Sequence, residues 1–259
     1  MKTAILLSLF AAFALTLITP AAQAEDRVYE LRTYITNEGK LEALLARFRD
    51  HTCRLFEKHG IQNIGYWVPI EKANGADNTL IYIVAHPSRE AAKVAWKAFG
   101  TDPDWQAARS ASEASGKILA QAPGSVFMSV TDYSPPVKTE IGKQARVFEM
   151  RTYSTPTGKL ADLHARFQNH TLNLFTKHGM THIAYWTPID KDKGANNQLI
   201  YILSHASQEA GAASFAAFRA DPAWLKAKSE SESNGSLTLT QPEGVKSIYL
   251  RATDFSPIQ

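Results

Sequence analysis

Alternation and helical spacing divide the chain into one series of elements that occurs twice. Residues 27–34 are rich in aromatic and β-branched side chains and predict a strand. Gly39-Lys40 breaks it. Leu41, Leu44, Leu45, Phe48, Thr52, Leu55 and Phe56 then recur at helical spacing, and Gly60 supplies a stop. Residues 61–70 predict a second strand ended near Pro69, residues 73–78 a turn, and residues 79–85 a third, most apolar strand. Ser88 is placed to cap a helix carrying Ala91, Ala95 and Phe99, and Asp102-Pro103 opens a shorter helix with Trp105. Pro123-Gly124 precedes a last strand at residues 126–133.

The same series returns 119 residues later, as the step from Arg32 to Arg151 shows. Tyr29-Glu30-Leu31-Arg32-Thr33-Tyr34 becomes Phe148-Glu149-Met150-Arg151-Thr152-Tyr153, and Lys58-His59-Gly60 becomes Lys177-His178-Gly179. Tyr66-Trp67 maps onto Tyr185-Trp186, and Asp102-Pro103 with Trp105 onto Asp221-Pro222 with Trp224. A period this long is a small domain rather than a solenoid repeat. Strand, helix, strand, strand, helix, strand is the ferredoxin-like split βαβ order, with helices on one face of an antiparallel sheet. The bare sheet face has to be covered. Two copies cover each other if their sheets close into a barrel with helices outside, so the expected class is α+β: two ferredoxin-like units forming an α/β barrel within one chain. The expected organisation is a leader at residues 1–24, a first unit at 25–134, a linker with Pro135-Pro136 at 135–145, and a second unit at 146–259.

The leader reading rests on Lys2, an apolar run at residues 4–18, Pro20, and Ala22-Gln23-Ala24 as a small-x-small cleavage site. It predicts export, to a periplasmic or secreted location, and a mature chain with no membrane span. Without Lys2, 27 Lys and Arg face 25 acids, so the mature net charge is +2. That balance gives no electrostatic case for nucleic acid as a partner. Cys53 is the single cysteine, and Leu172 stands at its repeat position, which points to an apolar packing role.

Candidate chemistry concentrates on the first strand of each unit. Alternation separates Tyr29, Leu31 and Thr33 from Glu30, Arg32 and Tyr34. If the helices take the more apolar set, then Glu30, Arg32, Tyr34, Glu149, Arg151 and Tyr153 point into the barrel. Enclosed charges have to be paired. The cluster is therefore either an internal ion-pair lock that fixes how the sheets meet, or a pocket in which Arg32 and Arg151 hold an acidic or carbonyl group. Trp67 and Trp186 could wall such a pocket or serve as aromatic packing. His59 and His178 end the first long helix, where a histidine suits the helix dipole; at a cavity mouth they could transfer protons. His51 and His170 fall four residues before Leu55 and Leu174, which predicts packed core histidines. No HExxH, CxxC, acidic calcium loop, phosphate loop or nucleophile elbow occurs, so no metal and no cofactor is expected.

The repeated strand-one motif, His-Gly followed by Tyr-Trp, Leu80-Ile81-Tyr82-Ile83, and Asp102 to Trp105 together resemble the NIPSNAP family of the dimeric α/β-barrel superfamily. The resemblance covers nearly all of the chain after the leader. It implies a covalent pseudo-dimer, but no settled activity. Three functions stay open: small-molecule binding in a cavity between the sheets; a cofactor-independent monooxygenase or isomerase, as in cousins of the wider superfamily; and a structural or interaction protein. Exposed outer strands leave room for a homo-oligomer.

Overall fold

The computed structural model describes residues 27–139 and 146–259; the predicted leader and residues 140–145 of the predicted linker lie outside them. In the first half, β1 (Val28–Ile35) leads to α1 (Leu41–Arg47), a π-helical turn (Phe48–Thr52) and α2 (Cys53–Lys58). Next come β2 (Gln62–Pro69), β3 (Thr79–His86), α3 (Arg89–Thr101), α4 (Pro103–Ser112) and β4 (Gly124–Val130). The second half repeats this as β5 (Val147–Ser154), α5 (Leu160–Arg166), a π turn (Phe167–Thr171) and α6 (Leu172–Lys177). It ends with β6 (Thr181–Pro188), β7 (Gln198–His205), α7 (Gln208–Ala220), α8 (Pro222–Ser231) and β8 (Val245–Ala252).

The strands close into one antiparallel barrel in the order β1-β3-β2-β8-β5-β7-β6-β4. Each half contributes four neighbouring strands. The seams are β2 on β8, with Trp67 opposite Ala252, and β4 on β6, with Val130 opposite Trp186. Closure removes the sheet edges that a lone ferredoxin-like unit exposes.

The facing of the strands reverses the expectation. The barrel interior holds Tyr29, Leu31, Ile81, Ile83, Phe148 and Met150 among its apolar residues, drawn from every strand and from no helix. Tyr66, Tyr82 and Tyr34 lie instead on the outer face against Leu44, Phe48 and Phe99 of the helical layer, and the second half does the same. Glu30, Arg32 and Tyr34, with Glu149, Arg151 and Tyr153, therefore sit under the helices and not between the sheets. An eight-stranded barrel is just wide enough to fill with side chains. It offers a charge no route to water. Beneath the helices, by contrast, the Arg32 and Arg151 side chains keep 16% and 13% of their surface exposed.

The halves also exchange their ends. After β4 the chain crosses to the second half, where Tyr133 joins the helical core and Ser134 Oγ accepts the Tyr185 N–H at 3.0 Å. After β8, Phe255 enters the first core and Ser256 Oγ accepts the Tyr66 N–H at 2.9 Å. These reciprocal insertions pack a half-buried aromatic ring of each half against the core of the other.

The π turn explains a second departure. Thr52 Oγ1 donates to Arg47 O, five residues back, at 3.1 Å, and Thr171 repeats this to Arg166 O at 3.2 Å. One wide turn rotates the helix face. His51 and His170 consequently point to solvent, while Phe48, Thr52, Leu55 and Phe56 stay inside.

Candidate functional site on the outer face of the sheet

Glu30 is the centre of the first-half cluster. It is 1% exposed, and strand pairing sets Arg32 opposite Ser125 of β4 and Tyr82 of β3. Arg32 donates to Glu30 Oε1 at 2.6 Å, as does Ser125 Oγ at 2.6 Å, and Trp96 Nε1 of α3 donates to Oε2 at 2.6 Å. His86 Nε2 approaches Oε2 at 3.4 Å without a hydrogen bond. Burial alone would raise the Glu30 pKa; the adjoining His86, the Arg32 charge and the Ser125 hydroxyl outweigh it and hold the carboxyl at about 2. The Arg32 guanidinium lies 4.6 Å from the Trp96 ring.

The second half repeats the core of this arrangement with one exchange. Arg151 and Ser247 both donate to Glu149 Oε1 at 2.5 Å. Phe215 takes the position of Trp96 and stacks on Arg151 at 4.2 Å, but it has no N–H to give. His205 Nε2 donates to Glu149 Oε2 instead, at 3.0 Å. The Glu149 pKa is lowered: burial acts upward, and His205, Arg151 and Ser247 act downward more strongly.

A cavity of about 500 Å³ opens beside Arg151 between α7, α8 and the sheet. Arg151, Tyr153 and Ser247 form its floor, Phe215, Phe218 and Trp224 its aromatic wall, and Arg219 and Lys228 its rim. The volume lies in the range of ligand pockets.

The remaining predicted residues do not join this site. Trp67 and Trp186 are fully buried in the barrel, 5.8 Å from Phe148 and 5.9 Å from Tyr29 of the opposite half. By these contacts they join the halves, and bulges between Asn63 and Gly65 and between His182 and Ala184 shift the register of β2 on β3 and of β6 on β7 just before them. His59 Nε2 meets Asp102 Oδ2 at 2.7 Å, and His178 Nε2 meets Asp221 Oδ2 at 2.8 Å. The same carboxylates cap α4 and α8, accepting from Asp104 N at 2.8 Å and Ala223 N at 2.9 Å. Lys58 and Lys177, with these histidines, hold both carboxyls well below the usual carboxylate range. The histidines thus tie the end of one helix to the start of another, and neither lines the cavity.

Sequence reasoning missed His86 and His205, although both close the third strand at equivalent positions and share a face with Tyr82 and Tyr201. Burial pushes the Cys53 thiol up to about 12, which suits packing and not nucleophilic chemistry. Among the described residues, no group of three or more His, Cys, Asp or Glu is placed to hold a metal ion, and no helix is long and apolar enough to cross a membrane.

The NIPSNAP family model matches the chain twice in tandem, over residues 29–135 and 148–257. The chain belongs to the NIPSNAP family. Three solved structures are similar to this chain in fold. One, described as an anthrone oxidase-like protein, is 11% identical, with 92% of this chain and 96% of that chain covered and a TM-score of 0.54. Two are named "putative monooxygenase". The Fusobacterium nucleatum subsp. nucleatum protein is 10% identical over 88% of this chain and 92% of its own, with a TM-score of 0.53. The Lactobacillus acidophilus NCFM protein is 13% identical over 88% and 94%, with a TM-score of 0.51. At these identities the likeness is one of fold. No curated protein matches this NIPSNAP chain.

Proposed function

We propose that the protein binds a small molecule with an acidic or carbonyl oxygen in the second-half pocket, anchored by Arg151. The observation that carries this reading is the roughly 500 Å³ cavity beside a guanidinium whose position Glu149 and Phe215 fix in advance. One face of Arg151 serves Glu149, and its remaining exposed surface is available to a ligand. The aromatic wall suits an apolar body. The leader pattern supports binding after export.

A second reading is catalysis without a cofactor, oxidation or isomerisation, for which the names of the barrel neighbours supply the motive. The Glu149–His205 pair behind Arg151 favours it over the helix-end histidines, since it is the acid–base pair joined to the pocket floor.

Thermal unfolding in the presence of a panel of small carboxylates and ketones tests the binding reading. At least one class is expected to raise Tm, because a ligand that binds only the folded state stabilises it by about 2.7 kcal/mol at a hundredfold excess over Kd. Arg151→Met abolishes that shift. A panel that stabilises Arg151→Met as well as the unmodified protein contradicts the assignment.

A further inference from the structure

We infer that the tandem chain carries one ligand site, in the second half, and that this site takes a flat, largely apolar anion, whereas Trp96 fills the corresponding place in the first half. The inference deepens the reading of the second-half pocket and rests on it.

The two halves share the anchor, and Tyr34, Phe99 and Trp105 match Tyr153, Phe218 and Trp224, but they differ over the arginine and at the rim. Glu30–Arg32–Ser125 and Glu149–Arg151–Ser247 are the same hydrogen-bonded triplet. Above Arg32, however, the larger Trp96 indole spans from the guanidinium, at 4.6 Å, to Glu30 Oε2, at 2.6 Å. It thereby stacks a planar ring on the arginine and satisfies the carboxylate's second oxygen, so the chain supplies its own occupant. Phe215 is shorter and leaves both the second oxygen, which His205 takes, and the space beyond the ring.

The charges differ too. In the first half Gly100 stands where the second has Arg219, and Arg109 is engaged by Glu113 at 3.2 Å. In the second half Arg219 and Lys228 line the cavity, and among the described residues neither forms a salt bridge. Arg151 is already neutralised by Glu149. The pocket therefore presents two uncompensated cations over aromatic walls, which selects negative charge on a flat apolar frame. Leu225 replaces Gln106 on the lining, and three extra residues precede β8, extending the rim at Gln241.

Fluorescence titration with 1-anilinonaphthalene-8-sulfonate, an aromatic sulfonate, tests the inference on the intact chain. One probe per chain is expected to bind saturably, more weakly as salt rises. Phe215→Trp, which copies the first half, lowers affinity by about tenfold or more, a change of about 1.4 kcal/mol. Arg219→Ala with Lys228→Ala, both at exposed positions, lowers affinity and flattens the salt dependence without endangering the fold. Trp96→Phe leaves the second-half affinity unchanged. Two equivalent probes per chain, or equal losses from Arg32→Met and Arg151→Met, overturn the one-site assignment while leaving a pocket at Arg151. No saturable binding, or binding indifferent to Arg151→Met, overturns the pocket reading itself.

Discussion

Glu30→Ala lowers stability at neutral pH by about 3–5 kcal/mol, the usual cost of stranding a buried partner charge. Arg32 would then keep its charge beneath the helices with no carboxylate, and Trp96 and Ser125 would lose their acceptor. The pH dependence carries a matching signature. A carboxyl whose folded pKa is depressed contributes stability that is complete above its unfolded value and is lost as pH falls through its folded value. For Glu30 the window runs from about 4.5 down to about 2, and the shift corresponds to roughly 3 kcal/mol. Urea unfolding between pH 2 and 7 should show the unmodified chain weakening across this window, and the Glu30→Ala difference shrinking over it. A constant difference at every pH would mean that the carboxylate is not held as described.

Trp67→Ala is expected to cost about 3–5 kcal/mol, as for truncation of a large buried aromatic. The ring is fully buried at the β2–β8 seam and packs on Phe148 of the other half, so the loss weakens the joint between the halves. Its Nε1 has no hydrogen-bond partner in the barrel. Trp67→Phe should therefore cost far less, about 1 kcal/mol, because it forfeits packing but no bond. Both substitutions leave ligand affinity at the second-half pocket unchanged once the protein is folded. A Trp67→Phe chain of unimpaired stability that no longer binds would place Trp67 on a ligand after all.

The order of elements, the duplication and the barrel were legible because each rests on a local signal that repeats: alternation at Tyr29–Tyr34, helical spacing from Leu41 to Phe56, and caps at Ser88 and Asp102. Which strand face turns inward was not. Both faces of β1 are covered, so the choice depends on which enclosure is drier, and that is a property of the closed barrel. Tyr29/Leu31 differs from Glu30/Arg32/Tyr34 in polarity, yet a helical layer with open ends tolerates arginine better than a filled barrel does. The exposure of His51 was hidden for a different reason. A single π turn leaves no mark in composition, and within it Thr52, not His51, takes the inward position after Phe48. The last strand begins and ends earlier than its apolar pattern suggested, at Gly124–Val130, because Thr131 onward is committed to the other half through Thr131 N to Tyr185 O. The site's asymmetry was present in the sequence as Trp96 against Phe215 and Gly100 against Arg219, but only the fold shows that Trp96 lies over Arg32 and that Phe215 and Arg219 line the cavity beside Arg151.

Thiol accessibility along β5 tests the facing of the first strand most directly. In a Cys53→Leu background, which borrows the residue of the second copy, single cysteines are placed at Met150, Arg151 and Tyr153 and treated with iodoacetamide in native buffer. Positions 151 and 153 should be alkylated in the folded protein, because both line the open cavity, and position 150 should react only after unfolding. Rapid alkylation at 150 with protection at 151 and 153 would put the charged face inside the barrel and contradict the site described here.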